Sequence, residues 1–376
     1  MWYDYLNMYL AILGREPKIS LAELEAVFGA AKVTPIAEGV ALVATKDFNL
    51  NRLGGTIKAG RILDEAPVEM LTALPEGKIT LGYSDYSAKA TKNSSWHEAL
   101  KLKNLLKRRG KSVRLVPNTD ATLSSATSHH NQLGEKARHI EIIRYGKYTA
   151  ESIGAQNITA YAKRDQARPA RDAFVGMLPP KLAQILVNMA VGAADSGRLL
   201  DPFCGTGTVL QEAMLMGYEA YGTDLAEKMI KYSAKNLDWL NTRYADLPKF
   251  ELTEGDATKL KWKGQIDFVA SETYLGQPFS APPSDIKLKE VQYTTKAITL
   301  SFLKNLAPQI EKGTRLALAV PAWKRPDNSF SHLKIIDEIE KLGYNVHSFK
   351  HAATSELLYY RENQVVARQI IVLRKS

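Results

Sequence analysis

The sequence predicts an α/β protein, with a mostly parallel, doubly wound sheet in its C-terminal half and a smaller α+β region before it. Three observations carry this expectation. From residue 198 onward, short apolar runs alternate with amphipathic stretches of helical period, the rhythm of successive βαβ units. A glycine-bearing loop, residues 198–209 (RLLDPFCGTGTV), joins the end of one apolar run to the start of a helical one. Residues 1–155 instead hold several short strand-like and helix-like segments, as a small mixed α+β unit does.

Taken in order, residues 6–13 (LNMYLAIL) read as a strand broken by Gly14 and Pro17. Ser20 with Glu23 three positions on reads as a capping box that opens a helix ending at Gly29. Residues 33–43 read as strand, and residues 49–62 as a second helix. Residues 77–83 are strand-like. Residues 95–109 read as an amphipathic helix, with Trp96, Ala99, Leu100, Leu102, Leu105 and Leu106 largely on one side. Residues 144–162 read as a strand and a connection. The Pro-containing, mixed-charge stretch at residues 155–175 is the expected join, and residues 181–191 are a helix. The expected organisation is therefore a first domain at 1–65, a second at 66–155, a linker at 156–175 and a final domain at 176–376.

In the last domain, strands are expected at 199–200, 220–223, 250–253, 266–270, 314–320 and 369–373. Helices are expected at 208–216, 228–240, 297–306 and 331–342.

Bulk composition narrows the function. The 376 residues carry 50 Lys and Arg against 40 Asp and Glu, a net charge of +10. Residues 1–175 hold 25 basic and 18 acidic side chains, so most of the excess lies there. A basic surface attracts polyanions, and phosphate neutralisation is the generic source of nucleic-acid affinity. Between Lys101 and Arg114 stand seven basic residues and no acidic one. Lys101, Lys107, Arg108, Arg109, Lys111 and Arg114 are candidate phosphate contacts, with a solvated helix face as the alternative; at the join Arg164, Asp165, Arg168 and Arg171 make either phosphate contacts or a domain-interface salt network. Cys204 is the only cysteine, which rules out an intrachain disulfide and chemistry needing two cysteines. No apolar run reaches a membrane span, and the N-terminus lacks a basic region and cleavage site, so the cytoplasm is expected. His129, His130 and His139 lack matching ligands at metal spacing, and no metal is expected.

The loop at 198–209 carries most information. Glycines let the backbone approach a ligand closely, and ligands of such sheets bind beyond the carboxyl ends of the strands. The acid at the strand end, Asp201, suits a cationic or amine-bearing ligand better than a phosphate. Neither GxxxxGK[ST] nor a complete GxGxxG is present. Asp224 follows the next strand, where a carboxylate binds ribose hydroxyls. Asp256 follows the third, where it can take an adenine amine.

DPFCGTGTVLQEA, GTDLAEKMI and EGDAT, in this order and spacing, resemble the cofactor-binding core of class I S-adenosylmethionine-dependent methyltransferases, and DPFCGTG resembles the RNA and DNA amino-methyltransferases among them. MYLAILGREPKISLAELEAVFG, TLSSATSHHNQL and KRDQARPARDAFVGMLPPKLAQILVNMA are similar to the corresponding stretches of the tRNA guanosine-10 N2-methyltransferases of archaea and eukaryotes. The resemblance is strong over residues 1–30 and 115–260 and weak from about 280 onward. It implies a Rossmann-like domain with a mostly parallel seven-stranded sheet, preceded by ferredoxin-like and THUMP RNA-binding parts. It also implies tRNA as substrate and, in some relatives, a small activating protein partner. By the same resemblance Asp201, Gly205 and Gly207 line the methionine part of S-adenosylmethionine, Asp224 meets the ribose and Asp256 the adenine; Pro202, Cys204, Thr206, Leu225 and Ala257 complete the cofactor site.

The catalytic motif departs from that pattern. Relatives place an acid or amide, two prolines and an aromatic residue after the fourth strand. Acceptors there orient an exocyclic amine whose lone pair is delocalised, and the ring holds a flipped base flat. Here the segment is Ser271-Glu272-Thr273-Tyr274-Leu275-Gly276. Glu272 falls on the acid, one methylene longer, and Tyr274 replaces a proline beside the lost aromatic. In the active reading Glu272 accepts from the amine, Tyr274 stacks and Ser271 completes the site. In the alternative the site has lost transfer and the chain only binds RNA; a DNA or rRNA amine is a third possibility. The sequence therefore points to an RNA methyltransferase acting on the N2 amine of a guanosine in tRNA.

Overall fold

Two long strands show why the C-terminal half folds around a sheet. RLALAVPAWK and VARQIIVLRK are near-continuous apolar runs, the signature of strands covered on both faces. A computed structural model of the protein describes residues 7–172, 178–362 and 364–376. The chain divides into two units, Met1–Pro17 with Ala31–Ala160, and Lys18–Ala30 with Tyr161–Ser376.

The first unit is one mixed eight-stranded sheet with helices. Its strands are β1 (Met8–Leu13), β2 (Val33–Ala37), β3 (Val40–Ala44), β4 (Thr56–Ile62), β5 (Ile79–Asp85), β6 (Val113–Leu115), β7 (His139–Tyr145) and β8 (Tyr148–Ala155), in the order β2-β3-β1-β4-β8-β7-β5-β6. Its helices are α2 (Pro67–Ala73), α3 (Lys92–Arg108) and α4 (Ser125–His130), while α1 (Pro17–Phe28) after its first residue and α5 (Ile158–Gln166) from Tyr161 onward belong to the second unit. β4 pairs antiparallel with β8, so the boundary expected at residue 65 lies within a single sheet. The helix expected at 49–62 is instead a short 3-10 turn at Leu50–Arg52 followed by β4. Lys58 explains the misreading: it is fully buried on the inward face, where an apolar residue marks a strand. Its Nζ donates to Glu141 Oε1 (2.6 Å) and to the Leu123 carbonyl (2.6 Å), and Ser84 and Ser128 donate to the same carboxylate.

Nor do Ser20 and Glu23 form a capping box. α1 begins at Pro17, and both residues are buried within it. Ile19 and Ala22 join the core of the second unit, where Glu23 Oε1 accepts from Asn188 Nδ2 (2.7 Å). Part of the expected linker at 156–175 is helical, as α5. Residues 1–6 and 173–177 of the expected elements and join lie outside the described residues.

The second unit holds α6 (Pro180–Val191), α7 (Thr208–Leu215), α8 (Glu227–Asn241), α9 (Asp285–Leu306) and α10 (Ile336–Ile339). Its strands are β9 (Arg198–Asp201), β10 (Glu219–Asp224), β11 (Phe250–Glu254), β12 (Phe268–Glu272), β13 (Arg315–Lys324), β14 (Phe330–His332), β15 (Tyr344–Val346), β16 (Leu358–Tyr359) and β17 (Val366–Lys375). The main path runs β11-β10-β9-β12-β13-β17-β15, seven strands, with β14 paired to β13 and β16 to β17. β9 to β13 are parallel along this path, and β17 is inserted antiparallel. This is the expected Rossmann-like, mostly parallel sheet. Period-two alternation builds two cores: Leu199, Ala270, Ala317 and Ala319 face one layer, and Leu200, Val269, Leu316 and Leu318 the other. The helix expected at 331–342 is β14, the single turn α10 and a 3-10 turn at Glu340–Leu342.

Candidate active site

Strand order reverses between β9 and β12, where successive connections leave toward opposite faces. Ligands of doubly wound sheets bind in the crevice beyond the carboxyl ends of the strands at this point. Asp201 ends β9, and Ser271 and Glu272 end β12, so the topology brings together residues 70 positions apart in sequence.

The loop after β9 is held by its neighbours. Cys204 N donates to the Thr223 carbonyl (2.9 Å), and Gly205 N to Asp224 Oδ2 (2.9 Å). Gly205 has φ +52°, with nothing within 4 Å of where a Cβ would stand, so its face opens onto free space. Gly207, at φ +81°, takes the left-handed conformation that starts α7. Two side chains of α8 lock the loop from behind. Ser233 Oγ donates to the Gly205 carbonyl (2.8 Å), and Asn236 Nδ2 to the Thr206 and Ala170 carbonyls (2.8 and 3.0 Å). The sequence reading missed both. Their signal was two small polar residues on the buried stripe of α8, beside Met229, Leu237 and Leu240.

Asp201 is buried, and its Oδ1 accepts from Ser271 Oγ (2.6 Å) and Phe203 N (3.2 Å). Burial pushes its carboxyl up to about 7; those two hydrogen bonds oppose the shift, and the charges of Asp224 and Glu272 add to it. Asp224 Oδ1 also accepts from Ala226 N (2.9 Å). A carboxylate has about four acceptor sites, so two remain for a ligand. Leu225, next to it, is 72% exposed. Gly255 N donates to the Asp224 carbonyl (2.9 Å), which sets the ends of β10 and β11 side by side. Asp256 follows; its Oδ1 takes Thr258 N and Oγ1, and these bonds hold its carboxyl below the usual range. Ala257 is buried, and Asn305 Nδ2 fixes its carbonyl (3.0 Å).

Glu272 is 16% exposed, and its Oε1 accepts from Arg368 Nε (2.7 Å). Burial raises its carboxyl, and Arg368 pulls it back. Thr273 N and Oγ1 both donate to the Ala319 carbonyl (3.0 and 3.3 Å). A proline at that position has no N–H for the first of these bonds. Tyr274 stands 43% exposed beyond the edge. Arg368 escaped the sequence reading, although a charged residue inside an apolar strand is a signal in itself, since buried charges are paired.

The candidate RNA contacts separate. Arg168 is a correction: it is 3% exposed, and its Nη1 donates to Thr208 Oγ1 (2.6 Å) at the start of α7, so it is not a surface cation. Arg164 forms a buried pair with Glu212 (2.7 Å), the salt-network alternative for the join. In the first unit Arg109 is bidentate to Glu69 (2.6 and 2.7 Å), Lys111 donates to the Leu74 carbonyl (2.7 Å), and Arg114 to Asn131 Oδ1 (2.8 Å). Lys101 is 3.9 Å from Glu98. Lys107 and Arg108 are exposed, with no ion pair among the described residues. His139 Nδ1 lies 2.7 Å from the Asn131 carbonyl, and His129 beside Glu135, both polar structure. Cys204 is a buried free thiol, pushed well up by burial.

Residues 168–341, which include the loop and the β12 edge, match the family model described as an RMKL-like methyltransferase domain. A DNA methylase model matches residues 74–235. Among curated proteins, the chain is 30% identical over 161 residues to a tRNA (guanine(10)-N2)-dimethyltransferase of Methanothermobacter thermautotrophicus, covering 42% of this chain and 44% of the relative. It is 35% identical over 108 residues to the enzyme of the same name from Pyrococcus abyssi, covering 29% of this chain and 27% of the relative. Each match thus spans less than half of the relative's length. Among solved structures, TrmN from Thermus thermophilus aligns over 98% of this chain and 100% of its own, with 19% identity and a TM-score of 0.48.

Proposed function

We propose that the chain methylates the exocyclic N2 amine of a guanosine in tRNA, with S-adenosylmethionine as methyl donor. One observation carries the reading: Glu272 stands at the carboxyl edge of β12, joined through Ser271 to Asp201 of the glycine loop. An acceptor for an amine and a loop for the donor thus share one crevice. The names of the curated relatives support tRNA guanine as the target.

The residues present suit the donor. Asp201, Pro202, Cys204, Thr206 and the open face of Gly205 border the place for its methionine part, and Gly207 starts the helix behind it. Asp224 keeps two acceptor sites for a ribose diol, and Leu225 offers an exposed apolar side chain to the purine. Asp256 and Ala257 close the adenine end. Bound there, S-adenosylmethionine supplies an electrophilic methyl group.

The protein's own contribution is orientation. Guanine presents two donors side by side, N1–H and the N2 amine. The Glu272 carboxylate is acceptor-only when ionised, so it fits that edge and fixes the amine toward the crevice. Tyr274 stacks on the extruded base. No strong base is required, because the amine proton becomes acidic as the new bond forms. The basic face of α3, led by Lys107 and Arg108, takes the RNA backbone and selects by shape.

The DNA methylase match favours a DNA amine as second reading. The two separate when labelled methyl transfer is measured to unmodified tRNA and to duplex DNA under the same conditions. Incorporation into tRNA alone is expected; incorporation into DNA alone overturns the RNA reading.

A further inference from the structure

We propose that Arg368 is a positioning residue for the transfer step, holding one oxygen of Glu272 so that the other is presented to the base amine. The inference rests on the proposed function, because it takes Glu272 as the acceptor.

Arg368 lies in β17, opposite Pro321 of β13, while Glu272 in β12 lies opposite Ala319. Its side chain therefore crosses β13 to reach the end of β12. It is 4% exposed, and of its neighbours in β17 from Val366 to Leu373 all but Gln369 are apolar. A guanidinium buried there without a partner is strongly disfavoured, so its contacts are specified. Nε donates to Glu272 Oε1 (2.7 Å), and Nη1 to Gln364 Oε1 (3.1 Å) and the Val366 carbonyl (3.4 Å). Gln364 and Val366 fix the guanidinium plane, which in turn fixes Glu272. Only Oε1 is engaged; Oε2 accepts nothing from the described residues.

The charge around Glu272 gives this contact its weight. The charges of Asp224 and Glu272 both raise the Asp201 carboxyl, so three acids share this end of the sheet. Arg368 is the single cation placed on Glu272 among the described residues. Burial favours a protonated Glu272, and Arg368 opposes it. Protonation turns one carboxyl oxygen into a donor, facing another donor, the amine. Removing Arg368 thus shifts Glu272 toward the protonated form even with the fold intact.

Two readouts test this on the full chain. The first is the pH profile of kcat/KM for methyl transfer to tRNA. Arg368→Gln is expected to move the acid limb up by about one pH unit or more and to recover activity at high pH, while Arg368→Lys keeps the wild-type limb. The second does not need activity. It is the titration of the Glu272 carboxyl by NMR in carbon-13-glutamate protein, assigned with Glu272→Gln. An upward shift in Arg368→Gln that Arg368→Lys reverses supports the proposal. If Arg368→Gln does not fold, a wild-type limb and titration in Arg368→Lys against a raised one in Arg368→Met decide the same question. An unmoved titration, with a pH-independent loss of rate, makes Arg368 a plain structural pin and overturns the proposal. A shifted titration in a protein that methylates no tRNA at any pH leaves the electrostatic role intact and removes the proposed function.

Discussion

Asp201 ties stability to the site. Its carboxyl sits at about 7 in the folded chain against an ordinary 3.8. Between those values the unfolded chain has lost the proton that the folded chain keeps. The native state then binds more protons, so stability falls as pH rises through this window and levels off above about 7. Asp201→Asn keeps an oxygen for Ser271 and Phe203 but carries no charge. Thermal melts should show the variant gaining about 1–3 kcal/mol on the wild type between pH 5 and pH 8, while its affinity for S-adenosylmethionine drops. An equal difference at both pH values contradicts this reading. Residues such as Asp201, Gly205, Gly207 and Asp224 were legible in sequence because each acts within a strand-turn-helix segment of fixed geometry. Arg368, Ser233 and Asn236 were not, because their partners come from strands and loops that only the folded sheet brings near.

At the scale of elements, α5 and α7 are joined by Arg164 and Glu212, both nearly or fully buried. Removing one member of a buried pair leaves an uncompensated charge, which costs about 3–5 kcal/mol. Urea unfolding of Arg164→Met should show a loss of that size, and Arg164→Met with Glu212→Met should recover most of it. A double variant as weak as the single one rules out this account. The elements the sequence concealed have physical reasons of the same kind. β4 carries Lys58 on its inward face, so its alternation reads as polar. α5 has only Tyr161 and Arg164 buried, the second a charge, and shows no apolar stripe. β14 and β16 are two or three residues long and exist by pairing with β13 and β17, which no local pattern encodes.

Over the whole molecule, each unit has its own sheet and core, and the first carries the exposed cations Lys107 and Arg108 without ion-pair partners among the described residues. Charge reversal of both should lower tRNA affinity about tenfold or more at low salt and flatten its salt dependence by about two counterions, with cofactor binding unchanged. Arg109→Ala should have a smaller effect on affinity, since its guanidinium already belongs to Glu69. An unaltered salt slope in the charge-reversed protein places the RNA elsewhere. In the proposed function, the crevice between β9 and β12 transfers a methyl group to a guanine amine that Glu272 orients. The decisive experiment is nucleoside mass spectrometry of unmodified tRNA after incubation with the chain and labelled S-adenosylmethionine. Labelled N2-methylguanosine or its dimethyl form is expected, falling about 100-fold or more in Glu272→Gln, while cofactor affinity stays at the wild-type level. A labelled product on another atom, or the same yield from Glu272→Gln, contradicts it.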